Sequence, residues 1–195
     1  MKRIVLVRHG ESEGNAKGLF TGWLDVPLTE KGKTQALALS EKIKAETFDR
    51  VISSDLCRSV ETARLTWGER KPDIELDERL REKHFGNLEG MKFDEICIQF
   101  PEVVDAWKHN DYNFPIPKGE SFQKFYDRII KRYKELKQED DESLLIFAHS
   151  GVIQAILAHE IVGSIKGCWR FKIENCKLVT LEVNDEYTYI KQLNV

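Results

Sequence analysis

The sequence predicts an α/β fold, a three-layer sandwich in which a largely parallel central sheet is flanked by helices. Short apolar runs alternate with segments of helical periodicity in a βαβαβ order, the pattern of a parallel sheet covered on both faces. Two of those runs, Ile4-Val5-Leu6-Val7 and Leu144-Leu145-Ile146-Phe147-Ala148, are apolar without interruption, as strands buried on both sides are. The chain has 195 residues and no Pro/Gly/Ser-rich linker, so a single domain over 1–195 is expected.

Residues 4–7 form the first strand. Thr29 caps a helix that runs to about residue 45, with Ala36, Leu39 and Ile43 on one stripe. A short strand at 50–53, a helix at 56–67 and an alternating strand at 73–76 follow. Residues 92–100 and 102–108 read as short helices separated at Pro101, and 109–118, with two prolines and little periodicity, as a loop. Together, 91–119 are expected to form a lid or cap. The strongest helical signal lies at 120–138, where Phe122, Phe125, Tyr126, Ile129, Ile130, Tyr133 and Leu136 recur at three- and four-residue spacing. An acidic turn leads into the strand at 144–148, then a helix at about 151–161. Alternating segments around 169–173, 177–183 and 187–193 close the chain, the last two paired as a hairpin across Asn184-Asp185-Glu186.

Composition narrows the function. Thirty basic and 33 acidic residues give a net charge of −3, which supplies no field for nucleic acid or an anionic membrane. The four cysteines are widely spaced, without a zinc or redox pattern, and read as buried free thiols. The amino terminus falls short of a signal-peptide core or membrane span, so a cytoplasmic protein is expected.

Chemistry concentrates after the strands. The first delivers Arg8-His9-Gly10, the second Ser53-Ser54 with Arg58 a turn later, and the central strand His149. In a parallel sheet these carboxyl ends share the edge where ligands bind. A guanidinium matches phosphate with two parallel hydrogen bonds, and a neutral imidazole can attack phosphorus. Arg8 and Arg58 are expected to keep His9 neutral by lowering its pKa. His149 would add a donor, and a short helix opening at Ser12 would bring its free N–H groups and the Asn15 amide to the same anion. A leaving alkoxide needs an acid, for which the irregular segment after the third strand offers Glu82 and Glu89. No step needs a metal or cofactor.

The chain resembles the histidine phosphatase superfamily, the phosphoglycerate mutase-like proteins, over essentially its whole length. The blocks that carry the likeness are Leu6-Val7-Arg8-His9-Gly10-Glu11-Ser12 with Asn15, Thr21-Gly22-Trp23 with Pro27-Leu28-Thr29, Ser53-Ser54 through Arg58 to Glu61-Thr62-Ala63, and Ala148-His149-Ser150-Gly151. The resemblance implies a phosphohistidine on His9, a phosphate pocket of Arg8, Arg58, His149, Asn15 and the Thr21-Gly22 backbone, and Glu82 rather than Glu89 as proton donor. Within the family, Phe20-Thr21-Gly22-Trp23 looks like the cofactor-dependent phosphoglycerate mutases. Leu80-Arg81-Glu82, Phe85-Gly86-Asn87-Leu88-Glu89-Gly90 and Pro117-Lys118-Gly119-Glu120-Ser121 look like phosphatases related to α-ribazole phosphatase. The stretch from Glu82 to His149 is shorter than in those mutases, which implies a more open pocket and hydrolysis of a small-molecule phosphomonoester to inorganic phosphate. A mutase and a non-enzymatic binder of phosphorylated ligands are the alternatives. Trp107, Lys108, His109 and Tyr112 are candidate substrate contacts, and a homo-oligomer is compatible with the sequence.

Overall fold

The computed structural model describes residues 1–184 and 186–195. Six strands, β1 (Lys2–Arg8), β2 (Arg50–Ser53), β3 (Ile74–Leu76), β4 (Ser143–Ala148), β5 (Leu178–Val183) and β6 (Thr188–Leu193), form one sheet in the order β3-β2-β4-β1-β5-β6. The first four pair in parallel, whereas β5 joins β1, and β6 joins β5, in antiparallel fashion. The helices are α1 (Glu13–Lys17), α2 (Glu30–Lys42), α3 (Cys57–Trp67), α4 (Phe93–Gln99), α5 (Pro101–Lys108), α6 (Phe122–Gln138) and α7 (Ser150–Leu157).

The uninterrupted apolar runs work as two faces at once, because successive side chains on a strand point to opposite sides. Ile4 and Leu6 of β1 and Leu144 and Ile146 of β4 join α6 and α7 through Phe125, Ile129, Tyr133 and Ile153. Val5, Val7, Leu145 and Phe147 meet Leu39 of α2, Ile43 just beyond it, and Ala63 and Trp67 of α3 on the other face. Burying each such side chain contributes about 1.5–3 kcal/mol, and the two clusters make the three layers. A third cluster, Leu88, Ile96, Val103, Val104 and Ile116, stands apart from the sheet beneath α4 and α5, with Phe20, Phe85, Trp107 and Phe114 partly buried against it.

Helix starts follow the expected chemistry. Thr29 and Ser121 accept hydrogen bonds from the amides of Gly32 and Lys124, 3.0 and 3.2 Å away, at the starts of α2 and α6. Ser12 and Asn15 bond reciprocally around the start of α1.

Three expectations change. Residues 169–173 form no strand: a 3₁₀ turn spans Ile165–Arg170, and the next carbonyls serve side chains instead of a ladder, Phe171 accepting from Gln154 and Ile173 from Arg8. The helix after β4 is α-helical only to Leu157, and its ladder then widens into a π turn at Ala158–Val162 before Gly163 ends it at φ +70°. All four cysteines are free, but Cys57 and Cys97 are half-buried. β5 and β6 pair as expected, and Asp185 of the expected turn lies outside the described residues.

Candidate active site

β1, β2 and β4 end along one edge, and the residues that follow β1 and β2 stay in register one step beyond the strand. The amide of His9 donates to the carbonyl of Ala148 at 3.0 Å and that of Ser54 to Phe147 at 2.9 Å. His9 is therefore fixed by main chain. Its Nδ1 lies 2.7 Å from the Gly10 carbonyl, which can only accept, so Nδ1 carries the proton and Nε2 keeps its lone pair. The His149 ring is wholly buried with its centroid 5.1 Å from that of His9. Its Nε2 is 2.9 Å from the Ser54 hydroxyl, while its Nδ1 has no partner.

Both imidazoles have pKa values well below the ordinary histidine range. For His9 burial is the largest cause, with Arg58 and then Arg8 adding to it. Both arginines thus lower its pKa as expected, and exclusion of water adds a larger contribution. For His149 burial again leads, followed by Arg58, His9 and Arg8.

The arginines are held by carbonyls, which orient a guanidinium without neutralising it. Arg58, at the start of α3 and 1% exposed, donates to Gly22 at 2.6 Å and Leu24 at 3.1 Å. Arg8 donates to Ile173 at 2.6 Å. The Nε of each has no partner. Asn15 accepts from Ser12 at 3.2 Å and from Asn175 at 3.3 Å through Oδ1, so its amide N–H groups are the donors left for a ligand.

Arg8, His9, Asn15, Thr21, Gly22, Arg58 and Glu82 line one cavity of about 240 Å³. Of the eight residues predicted as catalytic or phosphate-binding only His149 is not in its wall, its buried ring packing edge-on against that of His9. Gly22 sits at φ +48°, and a side chain there would run into the Glu89 carboxylate and the Lys83 carbonyl.

Glu82 is positioned from three sides. Its carboxylate accepts from the amides of Gly151 at 3.0 Å and Lys83 at 2.9 Å, and a methyl group on Gly151 would collide with it. Its carbonyl accepts from the Trp23 indole at 2.8 Å and from Arg128 at 3.2 Å. Arg128 also donates to the carbonyls of Arg79 and Arg81, at 2.8 and 3.0 Å, and pairs with Glu120 at 2.6 Å. Glu89 has another task. It accepts from the amides of Trp23 and Phe85 at 2.8 and 3.0 Å and lines neither cavity.

A second cavity of about 380 Å³ opens beside the first and shares Phe20, Glu82, Phe85 and Ser150 with it. Its walls are aromatic, with Phe20 stacked on Trp107 at 5.8 Å and Phe122 on Trp169 at 5.2 Å. Trp107 and Tyr112 line it as expected, whereas Lys108 and His109 are exposed and do not. Sequence reasoning missed Lys83, Arg128 and Trp169. Nothing in one sequence separates a buried lysine from a surface one, and Trp169 sat in a segment read as strand.

Among the described residues no helix is long and apolar enough to cross a membrane, and no group of three or more metal-ligating side chains is gathered. The chain is similar to known proteins over its full extent. It is 33% identical to the adenosylcobalamin/alpha-ribazole phosphatase of Salmonella typhimurium, covering 98% of this chain and 96% of that protein. It is likewise 33% identical to the 2,3-bisphosphoglycerate-dependent phosphoglycerate mutase 2 of Gloeobacter violaceus, covering 99% and 91%. The crystal structure of the alpha-ribazole phosphatase from Shigella flexneri superposes with a TM-score of 0.91 at 30% identity, over 99% of this chain and 96% of that one. A family model described as the histidine phosphatase superfamily (branch 1) matches residues 4–195, and the chain belongs to that superfamily.

Proposed function

We propose that the protein hydrolyses small-molecule phosphomonoesters through a phosphohistidine on His9. The observation that carries this reading is that His9 and Glu82 line one cavity together with Arg8 and Arg58, which form no ion pair. The phosphoryl group sits among Arg8, Arg58, the Asn15 amide and the Thr21-Gly22 backbone, with His149, beside His9, as a further donor. Nε2 of His9 attacks phosphorus in line as the P–O bond to the alcohol breaks, and protonated Glu82 gives its proton to the departing oxygen. Water then attacks the phosphohistidine, the P–N bond breaks, and Glu82 takes the water proton. The sum is ester plus water to alcohol plus inorganic phosphate. The guanidiniums stabilise charge on the equatorial oxygens, where most of the catalytic stabilisation lies. Residues 91–119 serve as a cap that walls the aromatic cavity and receives the alcohol.

The rival reading, a phosphoglycerate mutase, is supported by the Gloeobacter relative. The hydrolase is favoured because a triose leaves an apolar chamber of about 380 Å³ unfilled. With p-nitrophenyl phosphate, the wild type is expected to accumulate an acid-labile, base-stable phosphoenzyme, and His9→Ala to form none and lose almost all turnover. Substantial turnover by His9→Ala refutes the mechanism. Phosphoglycerate interconversion primed by bisphosphoglycerate, without phosphate release, decides for the mutase.

A further inference from the structure

Three cationic side chains are buried among the described residues. Arg132 pairs with Asp77 at 2.6 Å, whereas Arg58 and Lys83 pair with no carboxylate. Arg58 faces the phosphate cavity, and Lys83, 4% exposed, lines the aromatic one. The Lys83 Nζ has no hydrogen-bond partner and sits 4.5 Å over the Phe85 ring. Its acidic neighbours are already engaged. Glu82 holds the amides of Gly151 and Lys83 itself, Glu89 those of Trp23 and Phe85, and Glu120 holds Arg128 and the amide of His84. Burial pushes the amine down to about 8, and Glu120, Glu82 and Glu89 oppose it. It therefore remains largely an ammonium at neutral pH. A buried charge without a partner is costly, and an anion brought into the same apolar space relieves that cost.

We propose that Lys83 takes an anionic group, a carboxylate, carried by an aromatic leaving alcohol, so that the substrate is an aryl phosphomonoester with a second negative charge. This rests on the hydrolase reading and extends it from the phosphate to the alcohol. The ring lies between the Phe20–Trp107 stack and the Phe122–Trp169 stack, whose aromatic faces suit a planar group. Glu82, common to both cavities, then stands at the ester oxygen that joins the two halves of the substrate.

The test compares kcat/KM for the ortho-, meta- and para-carboxyphenyl phosphates with their methyl esters, in the wild type, Lys83→Met and Lys83→Arg. The wild type is expected to favour at least one carboxylate over its ester by about tenfold or more, the lower end for a charge-assisted contact. That preference should vanish in Lys83→Met and survive in Lys83→Arg. A wild-type preference below about twofold for all three isomers overturns the assignment, and it is read without any variant having to fold. A preference equally strong in Lys83→Met overturns it as well. Turnover of the aryl phosphates with a flat ratio removes Lys83 alone. Absence of both turnover and phosphoenzyme removes the hydrolase reading, and this inference with it.

Discussion

Gly151→Ala is a one-methyl perturbation aimed at Glu82. The added carbon would overlap the carboxylate oxygen and come within 3.2 Å of the Phe125 ring, so the carboxylate must retreat by about 1 Å to regain ordinary contact. Misplacement on that scale costs about 100-fold in rate, or ~2.7 kcal/mol of activation free energy. Stability should change far less, because the obstructing group is the end of a flexible side chain. The main loss is the bond from the Gly151 amide to Glu82, worth about 1 kcal/mol and roughly 2–4 °C in Tm for a domain of this size. Stopped-flow turnover of p-nitrophenyl phosphate and of an alkyl phosphate, with scanning calorimetry on the same samples, separates the two effects. Because the damage runs through Glu82, Gly151→Ala should add little to a Glu82→Gln background. Loss of less than about threefold in kcat, or full additivity with Glu82→Gln, would refute the reasoning that the carboxylate is the acid and base.

Arg128→Met removes three bonds to the carbonyls of the segment that carries Glu82. It is expected to lower kcat about tenfold with little change in KM, and to shift the pH profile's limb due to the acid, whereas a merely structural role would lower Tm and leave that limb in place. The buried histidines make stability depend on pH. Their folded pKa values lie below the unfolded ones, so the unfolded chain binds more protons below about pH 6.5 and stability is lost as pH falls through that window, by up to ~1.4 kcal/mol per histidine per unit. Chemical denaturation at pH 7 and pH 5 measures this, and the loss should shrink in His149→Gln; an unchanged dependence in that variant would assign it to other groups.

Much of the fold and the candidate site was legible because backbone pattern and candidate residue coincide. The run Ile4–Val7 must be buried on both faces, so Arg8 and His9 had to emerge at a strand end, and the same reasoning placed His149. Glu82 was harder. Its carboxylate is defined by partners far along the chain, Gly151, Trp23 and Arg128, and residue types alone left Glu89 equal to it. The arginines that lower the His9 pKa could be counted in the sequence, while exclusion of water, the largest cause, is a property of the packed molecule. Residues 169–173 misled because their residue pattern is that of a strand, while Trp169 stacks on Phe122 and the carbonyls of Phe171 and Ile173 serve Gln154 and Arg8 in place of a ladder.

The strand order carries a consequence for how the catalytic centre comes into being. β1 lies between β4 and β5, so Val5 finds its partners at Leu145 and Thr180. The strand that leads into His9 is synthesised ahead of both neighbours and stays without them until β4 and β5 have emerged. Such distant pairings are entropically late events in folding. The surroundings of His9 are drawn from segments far apart in the chain, and they are among the last to close.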